Sequence, residues 1–221
     1  MKETKKGCGF AVVLAAGVIL VVCAAESHGS DHLVRDGSGE FFDAIASTYD
    51  LLNSIISLGL DHTWRRTAIK SLELDVSRLL DVATGTADVA ILAAEMNDHV
   101  NVVGIDPSQK MLDIGKEKVL KKQMTERVQL LIGKAENLSQ FKEESFDHEI
   151  VSFGVRNFQD REAGLKEMAR VLKKNGRVAI LELTGTDENE KGLLSTIREL
   201  FISTIMPIIG GLISGHRETY R

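Results

Sequence analysis

Two short clusters of small and acidic residues follow two neighbouring apolar runs of the chain. The first is Asp81-Val82-Ala83-Thr84-Gly85-Thr86-Ala87-Asp88, and the second is Gly104-Ile105-Asp106. Asp106 follows Gly85 by about 20 residues, the interval at which an acidic residue accepts hydrogen bonds from ribose hydroxyls. Small residues let the backbone approach a ligand, and Thr86 adds a hydroxyl and an N–H group. The two clusters predict a nucleoside-binding site.

The first cluster departs from the dinucleotide fingerprint G-x-G-x-x-G, which binds a pyrophosphate at a helix N-terminus. The three glycine positions of the fingerprint are occupied by Gly85, Ala87 and Ala90. Asp88 adds a negative charge to the first helical turn. An acidic first turn suits a cationic or zwitterionic ligand such as the sulfonium of S-adenosylmethionine. The pattern therefore favours S-adenosylmethionine over NAD.

Strands and helices alternate from residue 78 onward. Apolar runs predict strands at 78–82, 100–105, 128–132, 146–152 and 177–183, and helices are predicted at 88–96, 108–123 and 160–173. This alternation is typical of a Rossmann-like α/β fold with a doubly wound, mostly parallel sheet. Both clusters then lie at the carboxyl edge of the sheet, where such folds bind ligands. Ser108 is expected to cap the second of these helices.

Helical spacing predicts further helices on both sides of this region. One or two amphipathic helices are expected at 41–57, and Asp61 is expected to cap another that extends to residue 72. A helical stretch is expected at 192–205, with no strand after it. A five-stranded sheet of this kind would then have an exposed edge unless something covers it.

The N-terminal segment differs from the rest of the chain. Residues 1–28 form a hydrophobic segment, 29–40 a polar linker, and 41–221 the main domain. Three lysines precede an uncharged run at 7–25, long enough to just cross a hydrocarbon core of about 30 Å. The segment also has the layout of a signal peptide. A membrane anchor and a cleavable signal remain equal alternatives, and a buried core helix is less favoured.

Composition excludes several classes of protein. Hydrophobic residues make up 43% and charged residues 27%, which is typical of a folded domain. The net charge of -5 argues against nucleic acid as the main partner. Cys8 and Cys23 both lie in the N-terminal segment, so the main domain has no disulfide framework or cysteine metal site. His62, His148 and His216 lack metal-ligand spacing, and we expect no metal.

Residues 41–220 resemble the ubiquinone/menaquinone biosynthesis C-methyltransferases. The matching stretches are FFDAIASTYDLLNSIISLGLDHTWRR, LLDVATGTADVA, GIDPSQKML, GKAENL, SFDHEIVSFGVRNF and LKEMARVLKKNGRVAILEL. The first and fifth are specific to this family and are closest to demethylmenaquinone methyltransferases. The others are shared with class I S-adenosylmethionine-dependent methyltransferases in general.

The resemblance implies a function and a set of site residues. The cofactor would be S-adenosylmethionine, and its methyl group would pass to a ring carbon of a polyprenylated quinol, either demethylmenaquinol or the ubiquinone-pathway benzoquinol. The implied cofactor-binding residues are Gly85, Thr86, Asp106, Lys134, Ala135 and Ser152. The implied catalytic residues are Tyr49, Arg156 and Asn157, and no catalytic metal is required.

The implied catalytic residues have simpler alternatives. Arg156 would stabilise the developing phenolate, directly or through a water, while Asn157 orients it. The same pair is also explained as a loop ion pair and turn, and Tyr49 as a core residue. Likewise, residues 205–213 would either line a prenyl-tail channel or pack on the sheet.

The chain departs from the family pattern at several places. Ala87 stands where glycine is usual, Lys134 where Asp or Asn is usual, and Lys174-Asn175 where Pro-Gly is usual. The methyl group of Ala87 is expected to crowd the cofactor or to forbid a positive φ. The family continues with a helix and two antiparallel strands beyond residue 220, so we expect a truncated chain of low stability.

These departures leave open a second function, a non-catalytic or truncated methyltransferase-like binding protein. The expected partners are the quinol and a membrane surface, with a homo-oligomer left open. The expected location is the cytoplasmic face of a membrane, or an anchored form. Secretory or organellar targeting by residues 1–25 stays an alternative.

Overall fold

The computed structural model describes residues 10–15, 18–24, 39–47, 49–57, 59–75 and 77–184. Its strands are β1 Phe10–Ala15, β2 Val18–Ala24, β3 Ser77–Val82, β4 Val100–Asp106, β5 Val128–Ile132, β6 Phe146–Ser152 and β7 Leu172–Thr184. Its helices are α1 Glu40–Ile45, α2 Tyr49–Ile56, α3 Asp61–Ser71, α4 Asp88–Met96, α5 Gln109–Lys121 and α6 Arg161–Val171. A 3-10 turn spans Val155–Asn157.

The strands form one sheet in the order β1-β2-β7-β6-β3-β4-β5. Every neighbouring pair from β2 to β5 is parallel, and β1 pairs with β2 in the antiparallel direction. The five predicted strands correspond to β3 to β7, and the Rossmann-like prediction is confirmed. The chain progresses from β3 outward to β5 and then returns to place β6 on the other side of β3. The carboxyl end of β3 is therefore the point where the strand order reverses, the usual ligand-binding position of such sheets.

The core lies on both faces of the sheet, which explains why the strands are continuously apolar rather than alternating. Leu79 and Ile150 belong to the cluster that packs under α3, α4 and α5. Leu80 and Val151 belong to the opposite cluster, which includes Met168 of α6.

The two predicted caps have different outcomes. The Ser108 side chain accepts a hydrogen bond from the Met111 N–H at 3.2 Å, so the predicted cap of α5 is confirmed. The prediction for Asp61 is wrong, because α3 begins at Asp61 itself. The Asp61 carboxylate accepts hydrogen bonds from Ser57 and Arg65 instead. A buried carboxylate is stabilised more by an arginine one helical turn away than by a backbone amide.

Strand β7 begins earlier than predicted. Helix α6 ends at Val171 and β7 begins at Leu172, not at residue 177, because Leu172 already pairs with Phe146 of β6. The Lys174-Asn175 departure is accommodated here, since Asn175 adopts a φ of 67°. Asparagine tolerates this left-handed conformation better than most residues.

The N-terminal apolar segment contributes the hairpin of β1 and β2. Strand β2 pairs with β7 from Val18 opposite Val178 to Ala24 opposite Thr184, and so covers the edge that the sequence left open. No helix among the described residues combines the length and the apolar character needed to cross a bilayer. Whether residues 1–28 act as an anchor or a signal stays a prediction. The predicted helix at 192–205, the 205–213 stretch and His216 lie outside the described residues, as does most of the 29–40 linker.

Candidate functional site

A cleft opens at the carboxyl edge of the sheet, where the strand order reverses. The space between its walls is about 620 Å³, including solvent at the mouth. Seven of the nine predicted site residues line it: Tyr49, Gly85, Asp106, Lys134, Ala135, Ser152 and Asn157. The lining residues that sequence reasoning missed are Phe42, Ala83, Pro107, Met111, Gly133, Glu136, Phe153, Gly154 and Phe158. All nine lie within the stretches that resemble the family, so the resemblance could have identified them.

The turn after β3 forms the floor of the cleft through an unusual backbone. Ala83, Gly85 and Ala87 all have positive φ, at 56°, 56° and 67°. A Cβ built on Gly85 would meet only a Tyr49 ring carbon, at 3.9 Å, so this glycine faces open space. Left-handed alanines cost about 1–2 kcal/mol each, and strain of this kind concentrates at functional sites.

Ala87 does not have the effect expected from the sequence. It adopts the positive φ, its side chain is fully buried in the core, and it does not line the cleft. Its methyl group faces Gly115 of α5, where a built Cβ would lie 3.1 Å away. The expected crowding of the cofactor is therefore wrong, because the methyl group points into the core.

Asp106 joins the turns that follow β3 and β4. Its carboxylate accepts one hydrogen bond from the Gly85 N–H and one from the Ser108 N–H, each at 2.9 Å. Burial raises the pKa of Asp106 to about 6, although the two amides oppose the shift. A carboxylate has about four acceptor positions, so it can also accept bonds from ribose hydroxyls.

Beneath the same turn, Asp81 is almost completely buried. Its carboxylate accepts a hydrogen bond of 2.6 Å from the Thr84 hydroxyl, which holds the turn against the end of β3. Burial raises the pKa of Asp81 to about 7.

Ser152, at the end of β6, contributes an unpaired hydroxyl to one wall of the cleft. The buried Ser152 Oγ has no hydrogen-bond partner among the described residues. Lys134 and the buried Ala135 follow β5, and Glu136 accepts a hydrogen bond from the Gln159 N–H at 2.7 Å. A buried hydroxyl without a partner favours a polar ligand at this wall.

Thr86 and Asp88, which their positions in the sequence placed next to the ligand, bond instead to residues of α2, α3 and α5. The Thr86 hydroxyl donates to Asp50 at 2.6 Å and accepts from Lys118 at 2.9 Å, and Thr86 does not line the cleft. Asp88 is paired with Lys118 at 2.7 Å and with Arg65 at 3.2 Å. Because two cations compensate its charge, Asp88 does not supply the acidic environment for a sulfonium that its position in the sequence indicated.

Phe42 and Tyr49 bring the N-terminal helices to the cleft. Their rings meet edge to face, with centroids 6.1 Å apart. Burial raises the pKa of the Tyr49 hydroxyl, against the lowering effects of Asn53 and Arg156. Tyr49 therefore fits both sequence interpretations, since it packs against a small core cluster and also lines the cleft.

Arg156 and Asn157 occupy different positions at the rim. Asn157 lines the cleft and donates to the Phe153 carbonyl at 3.4 Å. The Arg156 guanidinium is 47% exposed and lies 3.3 Å from the Glu182 carboxylate, outside the lining. Arg156 therefore forms an ion pair, as the simpler of the two interpretations of the sequence expected.

The residues of the cleft fit a nucleoside cofactor beside an apolar substrate. Asp106 offers acceptors for ribose, Ser152 an unpaired hydroxyl, and Gly85 an open backbone. Phe42, Met111 and Phe158 supply apolar walls. Within the ranges that the structure describes, no group of three His, Cys, Asp or Glu residues could hold a metal ion.

Comparison with known proteins agrees with this geometry. The model of the ubiE/COQ5 methyltransferase family matches residues 32–221. The chain is 42% identical over 177 residues to the ubiquinone/menaquinone biosynthesis C-methyltransferase UbiE of Geotalea daltonii, covering 79% of this chain and 74% of that protein. It is 44% identical over 181 residues to the demethylmenaquinone methyltransferase of Thermotoga maritima, covering 81% and 75%.

The fold has matches among solved structures. A SAM-dependent methyltransferase from Aquifex aeolicus superposes with a TM-score of 0.51 at 22% identity, covering 69% of this chain and 78% of that one. At this identity the match shows a common fold.

Proposed function

Because the chain belongs to the ubiE/COQ5 methyltransferase family, we propose that its cleft holds S-adenosylmethionine and a polyprenylated quinol next to each other. The protein is an S-adenosylmethionine-dependent C-methyltransferase of quinone biosynthesis. The relatives lend no support to the alternative of a non-catalytic binding protein. The observation that carries the assignment of the cleft is the Asp106 carboxylate, bonded to the Gly85 amide at the point where the strand order reverses.

The cofactor side of the proposed site is built from the ends of β3, β4, β5 and β6. Asp106 would accept the ribose hydroxyls, and Ser152 would use the hydroxyl that has no protein partner. Lys134 and Ala135 would lie beside the adenine. Bound S-adenosylmethionine supplies an electrophilic methyl group, so the protein's task is to align a ring carbon with it and to exclude water.

The substrate side would be formed by Tyr49 and Asn157, which line the cleft, with Arg156 at the rim. A quinol ring carbon becomes nucleophilic when a ring hydroxyl loses its proton. Positive charge at Arg156 would favour the phenolate, because a nearby cation lowers the pKa of an acidic group. Asn157 would orient the quinol oxygen by a hydrogen bond.

The cellular setting is a further proposal. A prenyl tail partitions into lipid, so the enzyme would work at the cytoplasmic face of a membrane. Leu51 lies in the same helix as Tyr49 and Leu60 lies between that helix and the next; they are 54% and 48% exposed and are suited to face lipid. The two proposed substrates are demethylmenaquinol, which the family-specific stretches of the sequence favour, and the ubiquinone-pathway benzoquinol.

The test is a binding and turnover experiment on the full chain. Calorimetry should detect S-adenosylmethionine binding, and Asp106→Ala should weaken it by at least tenfold without unfolding the protein. Methyl transfer to demethylmenaquinol and to the benzoquinol should then be compared in detergent or vesicles. Undiminished binding by Asp106→Ala would remove Asp106 from the cofactor site.

A further inference from the structure

Two consecutive residues of α2 contact two consecutive residues of the turn after β3. The Tyr49 ring lies over Gly85, with a ring carbon 3.9 Å from the position of a Cβ there. The next residue, Asp50, accepts a hydrogen bond of 2.6 Å from the Thr86 hydroxyl. The position of Tyr49 is therefore tied to that of the turn by a contact outside the cleft.

Lys118 of α5 joins the polar groups at this contact, which we call the Lys118 cluster: Lys118, Asp50, Thr86 and Asp88. Its Nζ lies 2.6 Å from Asp50 Oδ2, 2.9 Å from Thr86 Oγ1 and 2.7 Å from Asp88 Oδ1. An ammonium group has three donors, and the cluster provides an acceptor for each. Without this cation, two carboxylates would share a partly buried site and repel one another.

A second cation extends the contact to the far end of α2. Arg65 of α3 is only 7% exposed and bonds to Asp88 at 3.2 Å and to Asp61 at 2.7 Å. Asp61 in turn accepts a hydrogen bond of 2.9 Å from Ser57, the residue that follows α2. Helix α2 is thus tied at its first turn through Asp50 and at its end through Ser57.

We propose that Lys118 is a positioning residue for methyl transfer, which seats α2 and Tyr49 on the turn after β3. The expected effect of Lys118 on binding and turnover rests on the proposed function, whereas its effect on the position of α2 does not. Lys118 does not line the cleft, so it acts through Asp50 and Thr86. Loss of its charge would release the first turn of α2, and both substrates would bind to a less ordered wall.

The first experiment measures amide hydrogen exchange of the full chain in the absence of ligands. Lys118→Met should speed exchange at residues 49–56 about tenfold, the scale of a local opening released by one partly buried ion-pair cluster. Lys122→Met is the matched control, because Lys122 directly follows the same helix and pairs with Glu95 while 55% exposed. Lys118→Arg keeps the charge and should restore most of the protection.

A double-mutant cycle tests whether Lys118 acts through Asp50. Asp50→Asn and Lys118→Met should not be additive in their effect on exchange at 49–56, since each removes the same contact. Additive effects would overturn the direct coupling.

The second experiment measures ligand binding and turnover. Lys118→Met should raise the Kd for S-adenosylmethionine and the KM for the quinol several-fold to tenfold, with a smaller fall in kcat, and Lys122→Met should change neither. Equal exchange at 49–56 in the two variants would overturn the tie between Lys118 and α2. Faster exchange with unchanged Kd and KM would overturn the positioning role. A parent chain that binds the cofactor but transfers no methyl group would count against the proposed function, while the exchange and Kd results would still decide the role of Lys118.

Discussion

Ala87 and Gly115 face each other across the contact between the turn after β3 and α5, with room for only one methyl group. A Cβ added to Gly115 would lie 3.1 Å from the Ala87 Cβ and 2.9 Å from a Leu130 methyl. The alanine that departs from the family pattern is thus matched by a glycine on the neighbouring helix.

This relationship predicts coupled stability. Gly115→Ala should destabilise the protein by about 1–3 kcal/mol through overpacking. Ala87→Gly alone should be nearly neutral, because relief of the left-handed alanine offsets the lost buried methyl group. The double variant should recover about 0.5–1 kcal/mol of the Gly115→Ala cost, as expected for residues in contact. Urea unfolding of the four proteins measures this, and strict additivity would contradict the contact.

Glu149 predicts an unusual pH dependence of stability. It lies fully buried between Leu80 and Val178, and neither carboxyl oxygen has a partner among the described residues. Burial raises its pKa from 4.5 to about 9. The folded state therefore keeps a proton that the unfolded state loses, and the contribution to stability falls as pH rises from about 4.5 to about 9.

Glu149→Leu should remove this loss of stability at high pH. It should stabilise the protein by up to about 5 kcal/mol at pH 8, with a smaller gain at pH 5. Glu149→Gln is the matched control, which removes the charge but keeps a buried polar group, so its gain should be smaller. Thermal unfolding of the three proteins between pH 5 and 9 measures the difference. A gain that does not depend on pH would show that Glu149 is not held neutral.

Asp106 predicts a pH dependence of cofactor binding. Its pKa is raised to about 6, so the carboxylate dominates above that pH and the neutral acid below it. A protonated carboxyl accepts fewer hydrogen bonds, and the Kd for S-adenosylmethionine should rise below pH 6 by up to tenfold per pH unit. Calorimetry at pH 5, 6, 7 and 8 measures this. Asp106→Asn should bind weakly with a flat profile; a slope that persists in this variant would assign the titration to another group.

Replacement of Arg156 is expected to affect turnover much more than cofactor binding. Arg156→Ala should lower kcat at least tenfold while leaving the Kd for S-adenosylmethionine within about threefold, because the guanidinium lies outside the cofactor side of the cleft. Arg66→Ala, at an exposed arginine of α3, is the control for loss of one positive charge. Unchanged turnover in Arg156→Ala would leave Arg156 as a structural partner of Glu182.

The N-terminal hairpin predicts that removal of residues 1–25 lowers stability. Strand β2 pairs with β7 over seven residue pairs, and deletion would expose that edge of the sheet. A lower Tm and a greater tendency to aggregate are expected by thermal unfolding and light scattering. An unchanged Tm would instead agree with a leader or anchor that the folded domain does not need.

The sequence by itself determined the fold and the position of the cofactor turn. Strands buried on both faces leave continuous apolar runs, and their alternation with helices brings the ends of β3, β4 and β6 to one edge of the sheet. The order and spacing of Gly85 and Asp106 therefore predicted that they lie close together, and in the structure the Gly85 N–H donates a hydrogen bond to the Asp106 carboxylate. The family-specific stretches located most of the remaining lining.

Only the tertiary structure decided which way individual polar side chains point. Thr86 bonds to Asp50 and Lys118, 36 and 32 residues away in the chain, and the Arg156 backbone bonds to Glu182, 26 residues away. The same holds for Asp88, whose charge is compensated by Arg65 and Lys118. Local periodicity and spacing report which face of an element is buried, but they carry no information about partners that the packing of distant elements brings together.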